Sequence, residues 1–308
     1  MVDMRSRAAF DLKDEAKHIR AAGEDIELHR RHEEQAKVAP NSYVLTEINA
    51  LVSAEQWQEL DITILIPEGA FLMGTSLARA DVQDQPEHTR KLDSYYIDKY
   101  PVTNVQYARY VAITKYRPPL DWDSGKIPVN KLLHPVTMVS WYDAKAYCEH
   151  YGKRLPSEAE WEKAARGPDA RRWPWGNTMD PTRLNTYYHV GATTIVTRYN
   201  SGQSVYGVYD LTGNVSEWTS SRFEPYEGSK AAAALFTPKV LIANTASDKA
   251  MKIGELVEAE DRVFRVRRGG SWKSDPFSSS AYHRNFSMPH YASDFFGFRC
   301  ASDAEPTS

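Results

Sequence analysis

The apolar positions divide the chain into a polar leading segment and a longer region of mixed structure. Residues 1 to about 40 are dense in charged side chains, and 8–36 can form a helix with few apolar residues. Such a helix needs a partner surface, or it remains a solvated arm. A better helix is predicted within 42–60, because apolar residues recur there at helical spacing. These residues are Leu45, Ile48, Leu51 and Val52.

The pattern changes from Ile62 onward to short apolar runs interrupted by turn residues. Residues 63–74 read Thr-Ile-Leu-Ile-Pro-Glu-Gly-Ala-Phe-Leu-Met-Gly, which predicts a strand, a turn and a second strand. Residues 95–104 predict another strand that leads into a helix, with Thr103 or Asn104 as its N-terminal cap.

Two capping boxes predict the clearest helices of the chain. Ser140 stands three residues before Asp143, and Ser157 stands three residues before Glu160. The second helix has an apolar side and ends at Gly167. The residues on that side are Trp161, Ala164 and Ala165. Regular structure thins after this point, so the pattern favours an α+β domain with few helices and much coil.

Composition and charge narrow the classes of function. The chain has 308 residues, 42% hydrophobic and 26% charged, which suits one large globular domain plus an extension. The net charge is −3 and no basic stripe is present, so nucleic-acid binding is not expected. No apolar run reaches the roughly 18–20 residues of a membrane span. The first 25 residues lack the apolar stretch of a signal peptide, and we expect a cytoplasmic protein if residue 1 is the natural start.

Several longer motifs resemble those of the formylglycine-generating-enzyme family, also called sulfatase-modifying factors. The motifs are Gly-Lys-Arg-Leu-Pro-Ser-Glu-Ala-Glu-Trp-Glu at 152–162, Asp-Leu-Thr-Gly-Asn-Val-Ser-Glu-Trp at 210–218, Arg-Gly-Gly-Ser-Trp at 268–272 and Gly-Phe-Arg-Cys-Ala at 297–301. The resemblance covers residues 62–303. It implies a fold related to C-type lectin domains, with a small antiparallel sheet, few helices and abundant coil.

The resemblance also divides the chain into parts. Residues 1–61 precede it and are interpreted as an N-terminal helical extension. Residues 224–260 fit the family poorly and are interpreted as an insertion that decorates the domain. Residues 304–308 form a short tail.

The resemblance implies that the family's catalytic centre is missing. Catalytic members carry two cysteines after the Arg-Gly-Gly-Ser motif, and these thiolates bind copper and activate oxygen. The matching positions here are Ser274 and Ser279, whereas Ser271 of the motif is retained. Ser216 replaces the tryptophan that the family has before Glu217. Because hydroxyls are poor Cu(I) ligands, no copper is expected, and whether any oxidoreductase activity remains is left open.

A structural calcium site is expected in the 210–218 segment. Asp210 and Glu217 offer hard oxygen ligands, Gly213 permits a tight turn, and carbonyls near Gly213 and Val215 can point inward. The resemblance implies that these four positions bind calcium, and a hydrogen-bonded turn is the alternative. A second calcium site of the family would use 185–186 (Asn-Thr), and we expect it to be absent or incomplete.

The chain has two cysteines, Cys148 and Cys300, which are too few to build a zinc site alone. From the residues alone they could form one bridge or remain reduced. The resemblance places them side by side as a structural pair, and a reducing cytoplasm would favour free thiols.

Histidines raise two further hypotheses. His29 and His32 are spaced to share a helical face, with His18 upstream, but a solvated charged helix is the better interpretation because the extension is short. A Ser271–His283–Asp275 hydrolase is disfavoured because no Gly-x-Ser-x-Gly elbow is present.

Two polar clusters could line a ligand site. They are 283–285 (His-Arg-Asn), and His290 with Tyr291 and Asp294.

The leading hypothesis is therefore a non-catalytic accessory or binding subunit of a larger assembly, docked to a protein partner through its extension. Deletion of residues 1–60 should then leave the domain folded and release the partner. One alternative is a metal-dependent oxygenase or oxidase with a different metal site. Another is a lectin-like binder of a small molecule or glycan.

Overall fold

The computed structural model describes residues 44–238 and 263–304. Its α-helices are α1 (Leu45–Asn49), α2 (Ala54–Leu60), α3 (Asn104–Thr114), α4 (Trp141–His150) and α5 (Glu158–Arg166). Its strands are β1 (Thr63–Ile66), β2 (Gly69–Met73), β3 (His88–Leu92), β4 (Tyr95–Asp98), β5 (Ser216–Arg222), β6 (Arg265–Arg268), β7 (Arg284–Ser287), β8 (Phe296–Phe298) and β9 (Ala301–Asp303). The predicted helix in 8–36, His18, His29, His32, most of the 224–260 insertion and nearly all of the tail lie outside the described residues.

The strands form three small sheets within the described residues. One has the order β1-β4-β9, a second pairs β2 with β3, and the third has the order β7-β6-β5-β8. All neighbours are antiparallel except β5 and β8, which run parallel. The predicted α+β class is confirmed, but the single small sheet is divided. β1 and β2 follow one another as predicted and enter different sheets, with Pro67 between them, a residue that cannot donate to a ladder.

The predicted caps are present at the helices that build the core. The N-cap side chain of each helix accepts a hydrogen bond from the backbone N–H three residues on. The side chain at that later position accepts in turn from the backbone N–H of the cap. The cap residues are Thr103, Ser140 and Ser157. α3 and α4 pack through stacked rings, with 5.7 Å between the centroids of Tyr107 and Tyr147. This aromatic cluster anchors the larger hydrophobic core.

α1 and α2 belong to this core. Ile48 and Leu60 are buried among its residues. The amide of Gln106 in α3 donates to the Leu60 carbonyl at 3.0 Å, and Lys99 contacts the Glu59 carboxylate at 2.6 Å. The boundary drawn at residue 61 therefore does not separate two units, because residues 44–61 are packed onto the domain. A deletion meant to release only the extension has to stop at residue 43.

The central helix α5 is buried along its whole length although it carries five charged side chains. Its carboxylates face arginines of the β7-β6-β5-β8 sheet. Glu158 makes a bidentate pair with Arg284 at 2.6 and 2.9 Å. Glu162 contacts Arg268 and also accepts from Arg166 at 2.7 Å. The helix is thus joined to the sheet by ion pairs as well as by apolar packing.

Cys148 of α4 and Cys300, between β8 and β9, form a disulfide, with 5.6 Å between their Cα atoms. The expectation of reduced thiols does not hold in this structure. The predicted cytoplasmic location remains a prediction. None of the helices in the described ranges has the length and apolar character needed to cross a bilayer.

Removal of the disulfide should destabilise the fold. The bond links residues 152 positions apart, and loss of such a constraint typically costs about 2–5 kcal/mol. We expect Cys148→Ala/Cys300→Ala to lower the free energy of unfolding by that amount in guanidinium titrations. Wild-type protein under reductant is the control and should fall to the same value. Equal midpoints for the oxidised wild type and the double variant would contradict the prediction.

The buried ion pairs yield a second prediction. Glu162→Gln should lower the free energy of unfolding by ~3 kcal/mol or more, because it leaves the buried Arg268 charge poorly compensated. The matched control is Glu149→Gln, which breaks an exposed pair with Lys145 and should cost less than ~0.5 kcal/mol. Similar losses in the two variants, measured by chemical denaturation, would show that the buried pair has no special weight.

Candidate functional site

The two serines at the family's cysteine positions lie together in a cluster of hydroxyl groups. The Thr186 hydroxyl contacts Ser279 Oγ at 2.9 Å and donates to the Ser274 carbonyl at 2.6 Å. Ser274 Oγ accepts from the Ser271 backbone N–H at 2.9 Å and lies 3.3 Å from Ser271 Oγ. Ser279 is fully buried. The sequence-predicted pocket residues therefore meet, and their polar atoms are engaged with one another.

Gly270 explains how this cluster closes. It has a positive φ of 66°, and a Cβ built on it would lie 2.7 Å from Ser279 Oγ and 2.8 Å from the Ser278 carbonyl. A larger residue would push the two halves of the segment apart. The Arg-Gly-Gly-Ser motif is thus required for the turn that holds Ser271 against Ser274.

Two tyrosines form the exposed rim of the cluster. Tyr187 and Tyr188 are 68% and 60% exposed, and both have left-handed backbone conformations. Their amides donate to the carbonyls of Ser274 and Trp272 at 2.9 and 2.7 Å. Non-glycine residues in this conformation are strained by roughly 1–3 kcal/mol each, and such strain concentrates at functional segments. The backbone contacts hold both residues beside the hydroxyl cluster.

The predicted calcium loop is a turn with three residues of positive φ, namely Asp210, Gly213 and Asn214. The Asn214 amide donates to Asp210 Oδ2 at 2.8 Å. Burial raises the pKa of Asp210 to about 7. A carboxylate that is buried, and that receives a hydrogen bond from an uncharged amide, is suited to a cation. Only glycine fits at position 213, because a Cβ there would lie 2.4 Å from the Asn185 carbonyl oxygen.

Glu217, the other predicted carboxylate ligand, is already neutralised. Its two oxygens accept from Arg299 at 2.7 Å each, and Oε2 also accepts from the Trp161 indole at 2.9 Å. In this arrangement it serves Arg299 rather than an ion. Val215 is buried, with its side chain against Gly297. The predicted ligand set therefore fits calcium at Asp210 and does not fit it at Glu217.

Asn185 contributes a further oxygen near this loop. Its amide nitrogen donates to the Ala192 carbonyl at 2.8 Å and to Asn214 Oδ1 at 3.2 Å. Its Oδ1 atom is buried and has no hydrogen-bond partner among the described residues. A buried amide oxygen without a donor is costly unless water or a cation satisfies it. The neighbouring Thr186 belongs to the hydroxyl cluster instead.

The hydrolase triad is not assembled. His283 is buried and its Nδ1 contacts Asp84 Oδ2 at 2.9 Å. Asp275 instead accepts from the backbone N–H groups of Phe277 and Ser278 at 2.7 and 3.0 Å. Sequence reasoning missed Asp84, which lies about two hundred residues away in sequence. The available signal was the Asp-Val-Gln-Asp run at 81–84, whose two acids are three residues apart.

Asp294 of the second polar cluster and Arg284 of the first cluster have different surroundings. Asp294 pairs with Lys273 at 2.7 Å on the rim of the hydroxyl cluster. Arg284 is held by Glu158 within the buried network described above. Arg284 and Asp294, one from each cluster, are thus engaged with different partners.

The chain is similar in sequence to several known proteins. The chain is 32% identical to the serine/threonine-protein kinase pkn1 of Chlamydia pneumoniae over 88% of its length and 44% of the kinase. It is 30% identical to the inactive C-alpha-formylglycine-generating enzyme 2 of Bos taurus, over 78% of the chain and 88% of that protein. The chain thus spans about two fifths of the length of the kinases it matches.

A solved structure and a family profile agree with these relatives. The structure of PvdO from Pseudomonas aeruginosa superposes with a TM-score of 0.59 and 25% identity, covering 79% of this chain and 94% of PvdO. The profile described as the sulfatase-modifying factor enzyme 1-like domain matches residues 49–304. The chain therefore belongs to the sulfatase-modifying factor family, with the fold of the formylglycine-generating enzymes.

Proposed function

We propose that this protein is a non-catalytic accessory or binding subunit of a larger assembly. The observation that carries the proposal is the hydroxyl cluster at Ser274 and Ser279, where the family's oxidase chemistry requires two thiolates. A neutral alcohol is a hard, weak donor, and Cu(I) selects soft sulfur ligands. The internal hydrogen bonds of the cluster already use its polar atoms, so these residues stabilise a turn instead of holding a metal.

Two relatives support the non-catalytic role. One similar protein is named an inactive C-alpha-formylglycine-generating enzyme. In the pkn1 kinases the matching region is less than half of a longer protein. We infer that a domain of this kind, joined to other domains, serves binding or placement, and we extend that role to this chain. The charged segment 1–43 is the proposed docking element, because a helix with few apolar residues gains stability on a partner surface.

A cytoplasmic location is part of the same proposal. In that compartment the Cys148–Cys300 disulfide would be exceptional, because cellular thiols keep most cytosolic cysteines reduced.

Deletion of residues 1–43 should release the partner and leave the domain folded. We expect affinity-purified wild-type protein from the native host to bring down a stoichiometric partner that the truncated protein lacks. Chemical denaturation should give the same midpoint for both proteins, because α1 and α2 are retained. A variant in which the charged residues of 1–43 are kept in scrambled order separates sequence-specific docking from simple charge attraction. Unchanged recovery of the partner by the truncated protein would contradict the docking role.

Restoring the thiols should restore copper binding. We expect Ser274→Cys/Ser279→Cys to bind one Cu(I) per chain in competition with a chromophoric chelator. The two positions are close in the fold, because the Thr186 hydroxyl contacts both Ser279 Oγ and the backbone carbonyl of Ser274. Each single variant should bind at least about 100-fold more weakly, since one thiolate supplies half of the ligand set. The wild type is expected to compete no better than a variant without Ser274. Tight Cu(I) binding by the wild type, with conversion of a peptide cysteine to an aldehyde, would overturn the proposed function.

We also propose that calcium binds the turn at Asp210. Its support is the buried carboxylate and the buried Asn185 oxygen described above. Backbone carbonyls of Gly213 and Val215 would complete the ligands, with Glu217 restricted to Arg299. The role of the ion would be structural, because it offsets a buried negative charge.

The pH dependence of stability tests this site. The pKa of Asp210 rises from an unfolded value near 3.8 to about 7, so its ionisation between these values disfavours the folded state by up to ~4 kcal/mol. Without calcium, the free energy of unfolding should fall through this group as the pH rises from 4 to 7. Calcium at pH 8 should restore it in the wild type and have no effect on Asp210→Ala. The exposed Asp123→Ala is the control. Equal calcium responses in both variants would exclude the turn as the binding site.

A further inference from the structure

A short turn brings two aspartates to one side of the domain. Residues Val82–Asp84 form a 3₁₀ helix, and Asp81 stands at its N-terminal end. Because a 3₁₀ helix has three residues per turn, side chains three positions apart lie over one another. Asp81 and Asp84 are such a pair. The Asp81 side chain does not cap this turn, and its Oδ2 accepts a hydrogen bond from the Gln83 amide at 3.4 Å. The Asp81 side chain is 40% exposed, whereas Asp84 is fully buried.

His283, which lies about two hundred residues later in the sequence, completes the group. Its Nδ1 atom lies 2.9 Å from Asp84 Oδ2 and 3.9 Å from Asp81 Oδ2. One ligand atom of each residue lies within 4.8 Å of the other two. Two ligand atoms of a tetrahedral ion, each about 2.0–2.2 Å from the metal, lie about 3.3–3.6 Å apart. The distances of 2.9 and 3.9 Å from His283 Nδ1 bracket this separation. The three residues are therefore spaced as ligands of one ion.

The backbone fixes the two buried ligands before any ion arrives. The Arg284 N–H donates to Asp84 Oδ1 at 2.9 Å, which orients the carboxylate so that Oδ2 faces the imidazole. The Thr75 N–H donates to the Asp84 carbonyl at 2.9 Å. Arg268 donates to the His283 carbonyl at 2.7 Å. Such contacts behind the ligands are typical of metal sites, where they set ligand orientation.

The local charge favours a divalent cation. Three carboxylates and three guanidiniums of the neighbouring buried network balance one another. The carboxylates are Glu158, Glu162 and Asp84, and the guanidiniums are Arg166, Arg268 and Arg284. Asp81 Oδ2 lies 3.9 Å from His283 Nδ1, and Asp275 lies within electrostatic range of the same imidazole. The carboxylates that surround His283 therefore create a negative environment that favours a cation.

We propose that Asp81, Asp84 and His283 bind a divalent transition metal of the zinc class. One imidazole nitrogen and two carboxylate oxygens suit Zn²⁺ and Co²⁺, whereas calcium prefers an all-oxygen shell and Cu(I) prefers sulfur. The partly exposed Asp81 gives the ion a route to solvent and leaves a coordination position for water. This site is distinct from the hydroxyl cluster and from the turn at Asp210, so it does not depend on the function proposed above.

Zinc titration of the full chain tests the proposal. The background carries His29→Asn and His32→Asn, because two histidines at this spacing in the leading segment can bind zinc adventitiously. We expect one Zn²⁺ per chain in competition with a fluorescent zinc indicator, with a dissociation constant below about 10 µM. Asp81→Asn should weaken binding at least about 10-fold. Asp93→Asn, a change of an exposed aspartate between β3 and β4, should leave affinity unchanged.

His283→Asn separates metal binding from a purely structural hydrogen bond. The asparagine amide can still donate to Asp84 from near the Nδ1 position, and it is a poor zinc ligand. We expect this variant to fold and to lose the visible absorption of bound Co²⁺ that the background protein shows. Equal zinc affinity in Asp81→Asn and Asp93→Asn would overturn the site, as would the absence of binding at 100 µM, about tenfold above the expected constant. Retained Co²⁺ absorption in His283→Asn would overturn it independently.

Discussion

The pairing of α5 carboxylates with arginines of the neighbouring sheet is the constraint on which the rest of the structure depends. Glu158 and Glu162 can be buried only because Arg284 and Arg268 neutralise them. These arginines belong to β7 and β6, so the pairs fix the sheet against the helix. Arg268 is followed directly by the Gly-Gly-Ser turn, and the ion pair thereby positions the hydroxyl cluster. One electrostatic arrangement therefore supports both the core and the hydroxyl cluster.

Local sequence signals predicted the helices well and the long-range pairs poorly. The boxes at Ser140 and Ser157 needed only residues three apart, and both formed. The link between His283 and Asp84 joins residues about two hundred positions apart and leaves no periodic trace. The contact between Glu217 and Arg299 was missed for the same reason, and it changed the interpretation of the calcium loop. The motifs indicated the family, whereas the oppositely charged partners of these residues could be identified only from the structure.

The structure gives the serine substitutions a physical meaning that the motif alone lacked. Thr186 contacts Ser279 Oγ and the backbone carbonyl of Ser274, and Ser271 Oγ lies against Ser274 Oγ, so both serines are held in place by hydrogen bonds. The sequence indicated which residues converge, and it could not indicate that the hydroxyls satisfy one another. The sequence also did not predict that Tyr187 and Tyr188 are exposed beside these serines. Their left-handed backbone conformation accompanies hydrogen bonds to residues 272–274, which are distant in sequence.

The first and last strands, β1 and β9, flank the same strand β4. Thr63 lies opposite Asp98, and Asp303 lies opposite Tyr95. Strand β1 therefore begins beside one end of β4, and strand β9 ends beside the other end of the same four-residue strand. Protein modules with adjacent termini can be spliced into loops of a host or circularly permuted without rebuilding their interior. This geometry makes the domain portable, which accords with its recurrence as a fraction of longer relatives.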